Sequence, residues 1–111
     1  MQHEEAKYLV DALQACEAIV DFTRNKSLDE YRKDFLLRSA VERQFEILGE
    51  AFSRLNTLDS EYREHCPEMG KIIGMRNRLI HGYDTVDDSI VWDAIQNHLP
   101  PLLKWLKSFS L

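Results

Sequence analysis

Apolar residues recur at helical spacing along almost the whole chain, and strand-like alternation is nearly absent. Between Ser27 and about Asn56 the constraint is strongest. There Leu36, Leu37, Ala40, Val41, Phe45, Ile47, Leu48, Ala51, Phe52 and Leu55 cover about half the circumference of one helix. An arc that wide demands neighbours on two sides, so this segment is expected to be a long central helix. Ser27 and Glu30 have capping-box spacing and mark its start. Ser39, Glu42, Arg43, Glu46, Gly49, Glu50 and Ser53 form a polar stripe along the other side, which reads as a solvated face with i, i+4 charge pairs.

The remaining elements arrange themselves around that segment. A first helix over about residues 4–24 buries Leu9, Ala12, Leu13, Cys16, Ile19, Val20 and Thr23, with Asn25 placed to close it. A short helical turn is expected at Ser60–His65. Pro67 suits the first turn of a third helix that runs to about His81 and stops at Gly82. Asp87 or Asp88 caps a fourth, whose stripe of Val91, Ile95, Leu99, Leu102, Leu106 and Phe109 stays in phase across Pro100-Pro101. Those prolines predict a kink or brief break near Asn97-His98, followed by a last piece to about Ser108. The expected fold is all-α: a four- to five-helix bundle in a single domain over residues 1–111.

No apolar run is long enough to span a bilayer, and the first residues lack the pattern of a secretory signal, so the expected location is cytoplasmic. Cys16 and Cys66 have neither metal-ligand nor redox-pair spacing, and His65-Cys66 alone makes a weak ligand pair; no metal is expected. The net charge of −5 argues against a broadly basic nucleic-acid surface. Residues 70–83 are the exception: Lys71, Arg76 and Arg78 make the window +3, against −8 for the remainder. A local phosphate contact fits there.

On a helical wheel, Met69, Ile72, Ile73, Leu79 and Ile80 form the buried face of the third helix, and Arg76 projects into the middle of it. An unpaired charge in that position costs several kcal/mol, on the order of 3–5. Arg76 therefore meets a carboxylate of the central helix, Glu46 or Glu42, or it is held in a groove where its fork of donors fits phosphate. His81 lies about 140° further round the axis, so the two side chains diverge within one regular helix. Gly70, Gly74, Asn77 and His81 share another stripe, open to close approach by a second backbone. His81 could exchange protons near neutral pH or simply cap the helix C-terminus.

Arg76-Asn77-Arg78-Leu79-Ile80-His81-Gly82-Tyr83 resembles the Arg-x-x-x-x-His-x-Tyr signature of the HEPN superfamily, in particular its HepT branch of toxins paired with minimal nucleotidyltransferase antitoxins. Glu46-Ile47-Leu48-Gly49-Glu50-Ala51 is similar to that branch's second-helix segment. Ile90-Val91-Trp92 through Leu99-Pro100-Pro101-Leu102 is similar to its closing region. The resemblance implies a dimeric, metal-independent endoribonuclease with Arg76 and His81 as its catalytic pair, Asn77 as a polar neighbour, and Glu46 and Glu50 near the cleft, orienting the arginine. Lys71 and Arg78 of the positive window are expected towards RNA phosphates, as of a tRNA-like substrate. It implies that Tyr83 is modified with AMP by the partner nucleotidyltransferase, which uses Mg-ATP; the chain itself is expected to need no cofactor. The alternative is a non-catalytic helical partner of a nucleotidyltransferase that contacts nucleotide or phosphate.

Overall fold

The computed structural model describes residues 3–111, and among them every regular element is helical. They are α1 (His3–Thr23), α2 (Leu28–Lys33), α3 (Phe35–Leu58), α4 (Glu61–His65), α5 (Glu68–His81), α6 (Asp88–Asp93) and α7 (Leu99–Lys107). A 3-10 turn at Tyr83–Thr85 precedes α6, and a π-helical turn at Ala94–His98 joins α6 to α7. The bundle is built on α3, with α1 packed on one side and α5 on another; α7 closes against α1. No described helix is long and apolar enough to cross a membrane.

The stripe on α1 packs as its periodicity requires: Leu9, Ala12, Cys16, Ile19 and Thr23 are buried, with Leu13 and Val20 half-buried. Asn25 adopts a left-handed conformation (φ 61°) just past the last turn, the role that favours asparagine there. The capping box at Ser27 forms in full: its Oγ accepts from Glu30 N–H, while a Glu30 carboxylate oxygen accepts from Ser27 N–H, each at 3.1 Å.

The long second helix does not run unbroken. Asp34 leaves helical geometry (φ −108°, ψ 97°), and its carboxylate accepts from Leu37 N–H at 3.0 Å, starting α3 afresh. Aspartate favours an N-cap over a helix interior because its short side chain competes for backbone donors. The break turns Tyr31 into the core, where its ring lies 5.5 Å from that of Trp92. It also turns the first residues of α3 outward. Leu36, expected within the apolar arc, is 79% exposed.

Near the C-terminus the expected kink is replaced by the π turn. Leu99 N–H reaches the carbonyl of Ala94, five residues back, and the prolines sit in the first turn of α7, where a missing N–H costs least. The chain thus passes Pro100-Pro101 without breaking, and Val91, Ile95, Leu99, Leu102 and Leu106 remain buried in one stripe. Trp105, Phe109 and Tyr62 pack edge-on or tilted around this end, and Tyr62 donates to Glu5 at 3.1 Å, tying α4 to α1.

Two chemical consequences follow from burial. The Cys16 thiol is pushed up to about 12, chiefly by burial, and Cys66 is raised for the same reason. Only the thiolate is a good nucleophile. Both cysteines are expected to resist a thiol reagent in the native protein at pH 8 and to react together when urea unfolds it; fast labelling of native protein would contradict this packing. Burial and then the Asp88 carboxylate raise the Glu42 carboxyl above its ordinary value. A raised carboxyl binds its proton more tightly when folded, so stability falls as pH rises from the unfolded value, about 4.3, through the folded one. Glu42→Gln should therefore be more stable than the parent at pH 7, and the difference should vanish near pH 3.

Candidate active site

Gly49 brings α3 and α5 together. A Cβ built at this position would lie 2.3 Å from Arg76 Cβ and 3.2 Å from the Ile72 carbonyl oxygen. The Arg76 stem therefore lies directly over the missing side chain. From there the guanidinium reaches the edge of the helix pair, and the side chain retains 26% of its exposure. Nη2 is 2.8 Å from Glu50 Oε2, and Nη1 donates to Asn77 Oδ1 at 2.9 Å. Glu50 also accepts from Arg54 Nε at 3.0 Å, so one carboxylate bridges cations from α3 and α5. Arg76 Nε is buried with no hydrogen-bond partner among the described residues.

The head of Arg76 faces a groove of about 510 Å³ between α1, α3 and α5. Tyr8 and Ile47 give it apolar surface, while Lys7, Arg43 and Glu46 lie among its charged lining. The cation in the middle of the apolar arc thus has a carboxylate and a cleft at once. The carboxylate is Glu50, one of the two that the resemblance sets near the arginine, and not Glu46 or Glu42, the candidates of the helical wheel. Glu46 faces the same groove but pairs with Arg43 at the longer distance of 3.6 Å, and does not support Arg76. Glu42 sits near Asp88 and Arg38.

The other residues singled out in the sequence lie elsewhere on α5. His81 is its exposed final residue and does not line the Arg76 groove. Tyr83 follows on the 3-10 turn and is 75% exposed. Gly82 joins the two without a left-handed backbone (φ −144°). A Cβ there would come 3.2 Å from Thr85 Oγ1, which itself donates to the Gly82 carbonyl. Lys71 and Arg78 occupy the far side of the helix, lining a separate cavity of about 370 Å³ with Met75, Val86, Ile90 and His98. Neither forms an ion pair among the described residues. His65 is exposed while Cys66 is buried, and no group of three His, Cys, Asp or Glu among the described residues is arranged to hold a metal.

Sequence reasoning passed over two residues at this site. The polar stripe places Gly49 in solvent, yet it is buried where Arg76 of α5 crosses α3. An isolated glycine inside a strongly helical pattern was the available signal. Tyr8 of α1 was not singled out, because its place beside Arg76 depends on how α1 crosses α3.

An anchored arginine over a polar groove, with a histidine and an exposed tyrosine at the end of the same helix, suits an enzyme acting on phosphodiesters. The chain matches the family described as "Ribonuclease HepT-like" over residues 12–109, and it belongs to that family. It is thereby an endoribonuclease by class. It is 36% identical over 102 residues to a candidate RNase of Caldanaerobacter subterraneus subsp. tengcongensis, spanning 90% of this chain and 88% of that one. To the "Probable ribonuclease HepT" of Thermococcus cleftensis it is 31% identical over 104 residues, 92% of each chain. A candidate RNase of Methanocaldococcus jannaschii is 30% identical over 99 residues, 87% of this chain and 88% of the relative. No solved structure matches it.

The glycine contact is open to direct measurement. Gly49→Ala should lower the urea midpoint, at a cost of about 1–3 kcal/mol, because α3 and α5 must separate. Gly74→Ala should instead stabilise by up to about 1 kcal/mol, since its Cβ would meet nothing within 4 Å and alanine favours the helix. Equal midpoints for the two variants would contradict the close approach.

Proposed function

We propose that the chain is a metal-independent endoribonuclease toxin whose cleft is assembled across a two-fold interface, Arg76 of one chain working beside His81 of the other. The toxin is silenced when a partner nucleotidyltransferase adenylylates Tyr83, in a cytoplasmic toxin–antitoxin pair. The observation that carries this reading is the fixed orientation of Arg76. Glu50 and Asn77 hold its head at the groove through one contact to each terminal nitrogen, so each Nη keeps a second N–H for a phosphate. His81 points about 140° away on the same helix, so a second copy is the simplest way to bring the two groups to one phosphodiester.

In this mechanism the ribose 2′-hydroxyl attacks the adjacent phosphorus. A histidine accepts the hydroxyl proton or supplies one to the departing 5′-oxygen, and Arg76 stabilises charge gathering on the non-bridging oxygens. The P–O5′ bond breaks, leaving a 2′,3′-cyclic phosphate and a 5′-hydroxyl. In the silencing step the Tyr83 hydroxyl displaces pyrophosphate from ATP, with magnesium supplied at the partner's site. The exposure of Tyr83 supports this, because its hydroxyl needs no unfolding to be reached. An acidic body around the site favours a local contact, as with a folded RNA such as tRNA, over an extended polyanion track.

Purified without its partner, the protein should cut RNA in EDTA and leave cyclic phosphate ends. Arg76→Ala and His81→Ala should each lose about 100-fold or more in rate with helicity intact. Cutting at the parent's rate by both variants would overturn the assignment. With the nucleotidyltransferase and Mg-ATP, intact mass should rise by adenylyl units in the parent and stay constant in Tyr83→Phe.

A further inference from the structure

We propose that the groove beside Arg76 is a guanine subsite for the RNA substrate: Tyr8 stacks on the base, Glu46 receives its N1–H and amino protons, and Arg76 holds the adjoining phosphate. The inference rests on the ribonuclease reading and names which nucleotide that site takes.

The groove has the chemistry of a nucleotide pocket. Its volume of about 510 Å³ lies within the range of about 300–1,000 Å³ common for small-ligand sites. Four cations line it (Lys7, Arg43, Arg54 and Arg76) against three carboxylates, a local excess of positive charge on a chain of net −5. Tyr8 supplies an aromatic surface beside Ile47 and Ile80, the kind of platform on which unpaired bases stack. Lys7 lies over that ring at 4.9 Å from its centroid. Its ion pair to Asp11 is solvent-exposed and therefore weak, so Lys7 can exchange that partner for a phosphate as the base arrives.

The three carboxylates are not equivalent. Asp11 is paired to Lys7 at 3.1 Å, and Glu50 is shared by Arg54 and Arg76 at 3.0 and 2.8 Å. Glu46 is the least committed: its contact to Arg43 is 3.6 Å, and its side chain is only 28% exposed. A carboxylate offers two acceptors and no donor. Guanine alone presents two adjacent donors on its pairing edge. Adenine and cytosine place an acceptor beside their amino group, and uracil sets one donor between two acceptors. A half-buried carboxylate with a loose partner therefore favours guanine, and it gives Glu46 a role apart from pairing with Arg76, which Glu50 takes.

The test uses the full chain and the four ribonucleoside 5′-monophosphates, followed by NMR titration. GMP should bind about tenfold or more tighter than AMP, CMP or UMP and shift the Tyr8 signals. Glu46→Gln should lose that margin while still binding all four, because an amide presents a donor where guanine needs an acceptor. Tyr8→Ala should weaken all four. In cleavage of a random-sequence RNA, cuts by the parent should cluster beside guanines, and cuts by Glu46→Gln should not. Equal affinities for the four nucleotides, or a guanine preference that survives Glu46→Gln, would overturn the subsite. Guanine-selective binding without any cleavage would instead overturn the nuclease reading and leave the subsite standing. Cleavage without base preference would do the reverse.

Discussion

The contact of Gly49 with Arg76 is the point on which the rest of the molecule depends. It lets α5 lie so close to α3 that the arginine stem fills the space a side chain would have taken. That approach brings Glu50 within 2.8 Å of the guanidinium and turns the cationic head to the groove beneath α1. A charge in the middle of a helix's apolar arc is tolerable only with such a partner, since the desolvation cost of a lone ion exceeds what packing returns. Stability and site geometry are therefore coupled at one residue pair. The carboxylate that neutralises the arginine also fixes where its free donors point.

Most of the architecture was legible in the sequence, because helical period and capping chemistry are local. The face of α1, the capping box at Ser27, the end at Asn25 and the stripe from Val91 to Leu106 all appear where the pattern places them. The deviations arise where local rules compete. Asp34 could sit inside a helix or cap one, and burial of Tyr31 against Trp92 favours the cap, leaving Leu36 in solvent. Two prolines forbid an ordinary turn, yet a π turn upstream absorbs them and keeps the apolar stripe in phase. The first outcome turns on a partner some sixty residues away in the chain, the second on which of two local responses the packed stripe favours.

The site was legible in part, for a similar reason. The Arg-x-x-x-x-His-x-Tyr motif is contiguous, so Arg76, His81 and Tyr83 stand out together: Arg76 within α5, His81 as its last residue and Tyr83 on the 3-10 turn that follows. The arginine's partner is not contiguous. A wheel places Glu42, Glu46 and Glu50 on one stripe, and only the axial offset between α3 and α5 selects Glu50. Lys71 and Arg78 look like neighbours of Arg76 along the chain, but the helix carries them to the opposite cavity. Within one chain Arg76 and His81 diverge, as the 3.6-residue period requires.

That divergence makes the shared cleft the central claim, and mixing two variants tests it most directly. Arg76→Ala and His81→Ala subunits are unfolded together, refolded as a mixture, and assayed for RNA cleavage beside each variant refolded alone. A cleft built from Arg76 of one chain and His81 of the other predicts that the mixture regains activity, because each mixed dimer holds one intact pair. A mixture as inactive as its components, with mixed dimers present, would contradict it.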